Sequence, residues 1–472
     1  MGIKALSVLD GRYAKQTDEL CGIFSEYGLI RHRVEVEIEW FKFILSDLKL
    51  SDPPPASLDK LDNILDNFNE SDALEVKDIE KTTNHDVKAV EYFIKNRLAN
   101  TELGSKSEWV HFACTSDDIN NISYALMLKK GKHIVEKTLE GLISAIEKKA
   151  LDYKACAMMS RTHGQPATPS TMGKEFVNVA WRLNQELDLI RSTRVQAKIN
   201  GATGNYNAHC FVFPEVDWIS AGQRFLSSRL KLDPILYTTQ INPNTSLAWI
   251  LHSLIRSAAV VVDFDRDMWG YISIGYFKQN LKPGETGSST MPHKVNPIEF
   301  ENSEGNMGLA ISMMEHMAVK LQKSRFQRDL SDSTVLRNLG SLLGYYLIGI
   351  KSAVRGIGKL TLDKTALLKD LDENLELLAE PFQTAMRVFG EKNPYERLKE
   401  ITRGKKTGQK ELEEFVDKLE NVPFPFKERM KALTTRNYTG LAEQLVDMYF
   451  SRREDGRGES TTPRLKTEGL AR

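Results

Sequence analysis

Cysteine is scarce: Cys21, Cys114, Cys156 and Cys210 stand far apart in 472 residues and form no C-x-x-C pair. That spacing indicates neither a zinc site nor a disulfide framework and fits free thiols in a reducing cytoplasm. Net charge is also missing. Lys and Arg total 64 and Asp and Glu 64, so the sum supplies no broad basic field of the kind a nucleic-acid partner requires. A charged small molecule held by local clusters is still compatible. Long apolar runs are absent as well. The most apolar stretch, Leu247 to Val262, is broken by His252 and Arg256; it reads as a buried helix, too short and too polar to span a bilayer. The first residues lack an apolar leader segment, and Leu6 stands where a myristoylation signal requires Ser or Thr. No membrane partner is expected. Sustained alternation at period two is rare, so strands should be few.

Helical periodicity fills the space these absences leave. Met172, Phe176, Val179, Leu183, Leu187 and Ile190 recur at steps of three and four residues, which predicts one long helix over Thr168 to Gln196 with Thr168 as N-cap and Pro169 at its first position. Leu247, Leu251, Leu254, Ala258, Val261 and Met268 repeat the spacing, as do Val335, Leu339, Leu342, Tyr346 and Ile350, and Ile122 to Ala150 is similarly rich in Leu and Ile. The expected fold class is all-α, three helical domains around a central bundle of long helices. A prior of roughly 150 residues per domain agrees with about three.

Boundaries follow composition. Pro53-Pro54-Pro55 interrupts the N-terminal helical region, and the polar connection Thr101 to Ser107 precedes the bundle, so an N-terminal domain is expected over 1–110 and the central domain over 111–357. After Gly356 and Gly358 short charged helices such as Asp370 to Arg387 and the basic turn Arg403-Gly404-Lys405-Lys406 suggest a smaller domain over 358–452. The polar remainder, 453–472, cannot bury enough apolar surface to order itself and is expected to be a disordered tail.

Several polar segments interrupt the helical text. Two glycines and two prolines in Gly284 to Pro297 rule out a regular helix there; its Gly-Ser-Ser run offers N–H groups and hydroxyls to an anion, and Lys294 adds charge. Composition alone fits a surface loop equally well. The order of residues is more specific. Gly287, Ser288, Met291, Lys294 and Asn296 fill every fixed position of Gly-Ser-x-x-Met-x-x-Lys-x-Asn, which resembles the signature of the fumarase/aspartase superfamily. Ser160-Arg161-Thr162-His163-Gly164-Gln165 is similar to the segment that carries the catalytic histidine in those enzymes. With Lys81 to Tyr92, Phe112 to Asn121 and the opening Leu9-Asp10-Gly11-Arg12-Tyr13, the resemblance narrows to the bacterial adenylosuccinate lyases. It runs from Leu9 to about Arg403, is looser to about Tyr438 and is absent from the tail; Val8 departs from the proline usual there.

The resemblance implies a β-elimination that breaks a C–N bond and releases fumarate. It implies two substrates, adenylosuccinate and a succinylated imidazole carboxamide ribotide, no metal or organic cofactor, and a homotetramer with shared sites. Ser288 is then the base at carbon, His163 the acid at nitrogen, and Lys294 and Asn296 the holders of carboxylate charge. By itself His163 would read as a cap on the helix expected from Thr168. His85, just before a helix, reads equally as a neighbour of an N-terminal cap, whereas the family assigns it to substrate. A substrate with one phosphate and two carboxylates needs local cations. Ser324 to Asn338 supplies Arg328 and Arg337 for bidentate pairing, with Ser333 and Thr334 at the expected start of a helix whose dipole favours phosphate. Taken alone, that stretch is a solvated charged turn. Arg12, Tyr13, Asn84, Asp86, Thr115, Ser116, Gln240 and Asn302 complete the site by resemblance. His32, His111, His133, His209, His252, His293 and His316 are expected to be structural or solvated.

The competing functions are a sister lyase such as argininosuccinate lyase, aspartase or fumarase, and a helical scaffold without turnover. The Thr83-Asn84-His85-Asp86 motif and the Ser333-Thr334 to Arg337 segment argue against the first. Intact Ser288, His163 and Lys294 argue against the second.

Overall fold

The computed structural model describes residues 3–50, 55–280, 291, 294–402 and 408–454. Ser288 and most of its loop, the turn at Arg403 to Lys406 and the tail from residue 455 lie outside the described residues. Helices dominate. The first five are α1 (Ala14–Phe24), α2 (Glu26–Lys42), α3 (Pro55–Asp66), α4 (Glu70–Thr83) and α5 (Asp86–Leu98). Two long helices follow, α6 (Ser116–Asp152) and α7 (Met172–Ser192), and between them lies a hairpin of β1 (Ala157–Thr162) and β2 (Gln165–Thr171). Next come β3 (Gln196–Ala197), α8 (Asn207–Val212), α9 (Trp218–Arg224), β4 (Asp233–Pro234), α10 (Thr245–Ser273), β5 (Phe277–Gln279) and α11 (Ile298–Lys320). The last part holds α12 (Ser331–Leu336), α13 (Leu339–Lys359), β6 (Leu360–Leu362), α14 (Lys364–Asp372), α15 (Ala379–Val388), α16 (Pro394–Thr402), α17 (Gln409–Asp417), α18 (Phe424–Lys431) and α19 (Ala442–Glu454). The described strands form three two-stranded pairs: β1 with β2, β3 with β4, and β5 with β6. An all-α reading with few strands is borne out.

The chain divides into two compact units. The first comprises Met1–Leu142, Leu183–Arg266 and Ile298–Arg355. Its core packs Val34, Ile38, Phe41 and Leu45 of the α2 region against Leu61, Val76, Val90, Phe93 and Ile94. Polar links join the long helices laterally: Ser257 to Tyr346 at 2.7 Å ties α10 to α13, Arg256 to Glu186 at 2.8 Å ties α10 to α7, and Asn302 to Ser352 at 2.7 Å ties α11 to α13. The second unit comprises Ile143–Arg182, Asp267–Pro297 and Gly356–Arg472, with a core built on Leu378, Phe382, Met386, Leu398, Leu412 and Val416.

The apolar stripe expected on α7 is buried throughout, from Met172 (0% exposed) to Ile190 (0%). Each such Leu, Ile or Phe contributes about 1.5–3 kcal/mol of burial free energy. The helix nevertheless begins at Met172, three residues after the first helical position that its local signals predict, Pro169. Pro169 to Thr171 instead pair across the hairpin with β1 residues, Thr168 is the extra residue where the register shifts between Met159 and Ser160, and Met158 and Met159 are buried there. Cross-strand bonding and burial outweigh the Thr-Pro signal, and proline is tolerated because each strand of a two-stranded ribbon has a free edge. Gly173 is required where α7 starts: a Cβ would stand 2.5 Å from the Ala150 carbonyl oxygen and 2.6 Å from Lys154 Cα.

Two further expectations change. The helix predicted to open at Ser333 is two helices, α12 and α13. Asn338 divides them: its side-chain amide donates to the Thr334 carbonyl at 3.2 Å, and its own carbonyl accepts from the Leu342 N–H at 3.2 Å. The apolar stretch at Leu247 belongs to a helix of 29 residues, longer than read from the sequence and, among the described residues, the one long and apolar enough to cross a membrane. Its most apolar window is 61% buried within the fold, as a core helix is.

Candidate active site

In the first unit, the α4–α5 corner gathers one group of the expected residues. Asn84 ends α4 in the left-handed region (φ 50°), a conformation that asparagine tolerates. His85 caps α5, its Nδ1 accepting the Lys88 N–H at 3.2 Å. A ring that accepts at Nδ1 carries its proton on Nε2 when neutral, and Nε2 lies 3.4 Å from Ser116 Oγ at the start of α6. Capping and contact with another expected site residue therefore coexist in one side chain. Asp86 follows in the first turn of α5, where the helix dipole favours an anion. Its Oδ2 accepts from Arg33 Nη2 at 2.7 Å and from Arg337 Nη2 at 3.1 Å, and its Oδ1 accepts the Val87 N–H at 2.9 Å. Burial pushes this carboxyl up, but Arg33, the Val87 N–H and Arg337 together hold it below the usual range. Arg337 also reaches Glu26 at 3.3 Å.

Two more groups belong to the same unit. Tyr13 donates its hydroxyl to Asn302 Oδ1 at 2.9 Å, and the Arg12 guanidinium stands 5.9 Å from the Tyr13 ring centroid. Gln240 accepts from Arg328 at 3.0 Å and donates to the Ala202 carbonyl at 3.0 Å. Ser333 and Thr334 lie inside α12, where the Arg337 N–H donates to the Ser333 carbonyl at 3.4 Å. They do not open a long helix, so the helix dipole expected to favour phosphate at this point is not there to do so.

The second unit holds His163. It and Gly164 form the whole of the β1–β2 connection, with Thr162 opposite Gln165, and both have positive φ, 53° and 75°. That is the pattern of a type I′ turn, the two-residue connection whose twist matches a hairpin. Histidine is among the residues that enter the left-handed region more readily than most, and glycine does so freely. His163 is thus exposed at a hairpin tip and caps no helix. The hairpin is held from below: Arg161 pairs with Asp370 at 2.6 Å, Thr168 bonds to Glu380, and Met159 packs with Leu371 and Leu377. Ser288 is outside the described residues. Close to it in sequence, Lys294 is exposed, and its N–H donates to the Met291 carbonyl at 3.0 Å. Asn296 is half-buried. Gln279 Nε2 donates to the Val295 carbonyl at 3.1 Å.

Other residues of these clusters were not singled out from the sequence. Arg33 is buried in α2 and donates to Asn120 at 2.8 Å as well as to Asp86. Asp117 is buried beside Lys198, Arg328 and Asp332; burial raises its carboxyl to about 6 although the two cations oppose this. Asp118 and Lys198 form a fully buried ion pair. The available signal was a charged residue inside an apolar context: Arg33 beside Val34, and Lys198 between Ala197 and Ile199. Among the described residues, no group of three or more His, Cys, Asp or Glu is placed to hold a metal ion.

Comparison with known proteins adds a family. Residues 11–311 match the lyase family, and residues 324–439 match the family described as adenylosuccinate lyase C-terminal. The adenylosuccinate lyase of Vibrio cholerae is 50% identical over 450 residues, which cover 94% of this chain and 98% of that one. The chain belongs to the adenylosuccinate lyase family. Family members from Haemophilus influenzae and Escherichia coli K12 are each 49% identical over 451 residues with the same coverage. Two solved structures share the fold at 18% identity: 3-carboxy-cis,cis-muconate lactonizing enzyme from Pseudomonas putida (TM-score 0.75) and fumarate lyase from Mesorhizobium sp. BNC1 (0.76), each covering 92% of this chain and 97% of its own. The family that the motifs resembled, its lyase class and its helical fold are therefore borne out. The matched C-terminal family spans Arg328, Ser333, Thr334 and Arg337.

Proposed function

We propose that this lyase cleaves adenylosuccinate to AMP and fumarate, and succinylaminoimidazole carboxamide ribotide (SAICAR) to the carboxamide ribotide (AICAR) and fumarate, in purine nucleotide synthesis in the cytoplasm. Identity near 50% across 94% of the chain to curated adenylosuccinate lyases carries this reading. Ser288 removes the proton beside the succinyl carboxylate. The electron pair spreads into that carboxylate, opposite the charge of Lys294 and the amide of Asn296, and then forms the new C=C bond as the C–N bond breaks. His163 delivers a proton to the departing nitrogen. Exposure of His163 on a two-residue turn gives substrate access to its ring. Arg12, Tyr13, Asn84, His85, Asp86, Thr115, Ser116, Gln240, Asn302, Arg328, Ser333, Thr334 and Arg337 bind the substrate. Arg337 is exposed, and its contact with Glu26 is a surface pair worth little, so a phosphate dianion can displace it. Ser333 and Thr334 act through their hydroxyls.

The reading includes no metal or organic cofactor, boundaries near residues 110 and 357, and a homotetramer with sites shared between subunits. Exposed Trp181 and Leu189 on α7, Trp249 and Trp269 on α10, and Leu309 and Val319 on α11 support the assembly, since long helices seldom leave such side chains to water. The test is to incubate the purified protein with adenylosuccinate, argininosuccinate, aspartate or malate and measure fumarate. Rapid release from adenylosuccinate alone is expected, and rapid turnover of another member of the panel would assign the chain to a sister activity.

A further inference from the structure

One buried carboxylate has no role in the chemistry above. Asp118, in the first turn of α6, and Lys198, just after β3, are both fully buried, with Oδ1 and Nζ 2.9 Å apart. Three main-chain groups also donate to this carboxylate: the N–H of Thr115 to Oδ2 at 2.9 Å, of Gly201 to Oδ2 at 3.1 Å, and of Asn200 to Oδ1 at 3.1 Å. Four donors thus converge on two oxygens, close to the capacity of an ionised carboxylate. Asn121 adds a second clasp between the same segments, accepting the Lys198 N–H at 2.9 Å and donating to the Lys198 carbonyl at 3.0 Å. One side of this junction leads directly to Thr115 and Ser116. The other leads from Gly201 to Ala202, whose carbonyl holds Gln240, and Gln240 holds Arg328.

We propose that Asp118, neutralised by Lys198, is a positioning residue for the substrate site. It touches no substrate, but it fixes the backbone that presents Thr115 and Ser116 and the backbone that orients Gln240 and Arg328. Two chain segments some eighty residues apart in sequence are brought into one register by directional, charge-assisted bonds. Apolar packing would hold them with more slack. The inference rests on the reading of Thr115, Ser116, Gln240 and Arg328 as substrate contacts.

The test uses Asp118→Asn, the double variant Asp118→Asn/Lys198→Met, and Ser116→Ala in the full chain, with Tm and steady-state cleavage of adenylosuccinate as readouts. The amide of Asp118→Asn turns an N–H group toward donors and leaves the Lys198 cation buried without its counter-ion. We expect KM to rise by about tenfold or more with a smaller change in kcat, because the displaced contacts act in ground and transition states alike. The double variant removes the stranded cation, so it should regain most of the lost Tm while KM stays high. A KM in Asp118→Asn within about twofold of wild type, or a KM that returns together with Tm in the double variant, overturns the inference. If the single variant does not fold, the double variant decides alone by its KM. An unchanged KM in Ser116→Ala removes the substrate-contact reading and the inference with it; a raised KM there beside a normal one in both Asp118 variants overturns the inference only.

Discussion

His209 sits among aromatic rings, with centroids of Trp218, Tyr206, Phe112 and Trp40 at 4.9, 5.3, 6.0 and 6.1 Å. Both ring nitrogens are buried with no hydrogen-bond partner among the described residues. Burial, aided by Lys198 and opposed by Asp118, lowers its pKa to about 4. The unfolded chain takes up this proton near pH 6.5 and the folded chain only near 4, so this group's contribution to stability is lost as pH falls through that window, at about 1.4 kcal/mol per pH unit. His209→Phe should therefore gain on wild type in Tm as pH is lowered from 6.5 toward 4. A difference in Tm that does not change with pH would refute the assignment. The reacting residues predict a different pattern. His163→Ala and Ser288→Ala should each lower kcat by on the order of 10²–10⁴ while substrate still binds. Arg337→Ala should chiefly raise KM, because Asp86 keeps Arg33 as its partner and the corner stays folded. Near wild-type turnover in His163→Ala would mean that the acid has been misassigned.

At the scale of an element, the β1–β2 hairpin couples backbone conformation to the placement of the proposed acid. A methyl group on Gly164 would meet only open space, but the residue's φ is 75°, so the strain of Gly164→Ala is conformational and not steric crowding, about 1–2 kcal/mol. If the turn holds His163 in place, Gly164→Ala should reduce kcat more than tenfold with only a small loss in Tm, and Gly164→Asn should do less harm because asparagine accepts the left-handed region. Equal kcat in wild type and Gly164→Ala would show that the turn does not position the ring.

For the whole molecule, the prediction concerns assembly. If His163 and Ser288 of one site come from different chains, two inactive variants can restore one another. In tetramers reassembled at random from equal amounts of His163→Ala and Ser288→Ala subunits, each donor is intact with probability about one half, so about one quarter of sites should recover. Unfolding, mixing and co-refolding, compared with each variant refolded alone, measures this. A mixture no faster than the mean of its parents, with subunit exchange demonstrated, would place both residues on one chain.

The helices of the bundle were legible because burial imposes a period of three to four residues on any long helix with a single apolar face; Met172 to Ile190 shows it without gaps. The lyase motifs were legible because each is a contiguous string. What tertiary structure decided was the ends and the junctions. Thr168 and Pro169 carry a valid helix-start signal, yet the hairpin claims them, since Pro169 pairs with Met159, which lies outside the window of a helix start, and Thr168 falls at the register shift beside it. Ser333 and Thr334 look like a helix start until Asn338 breaks the helix behind them. The Asp118–Lys198 pair joins residues eighty positions apart. Local rules act over one or two turns of chain, whereas a buried charge is stabilised by whichever partners the fold brings to it, and only the folded chain specifies those.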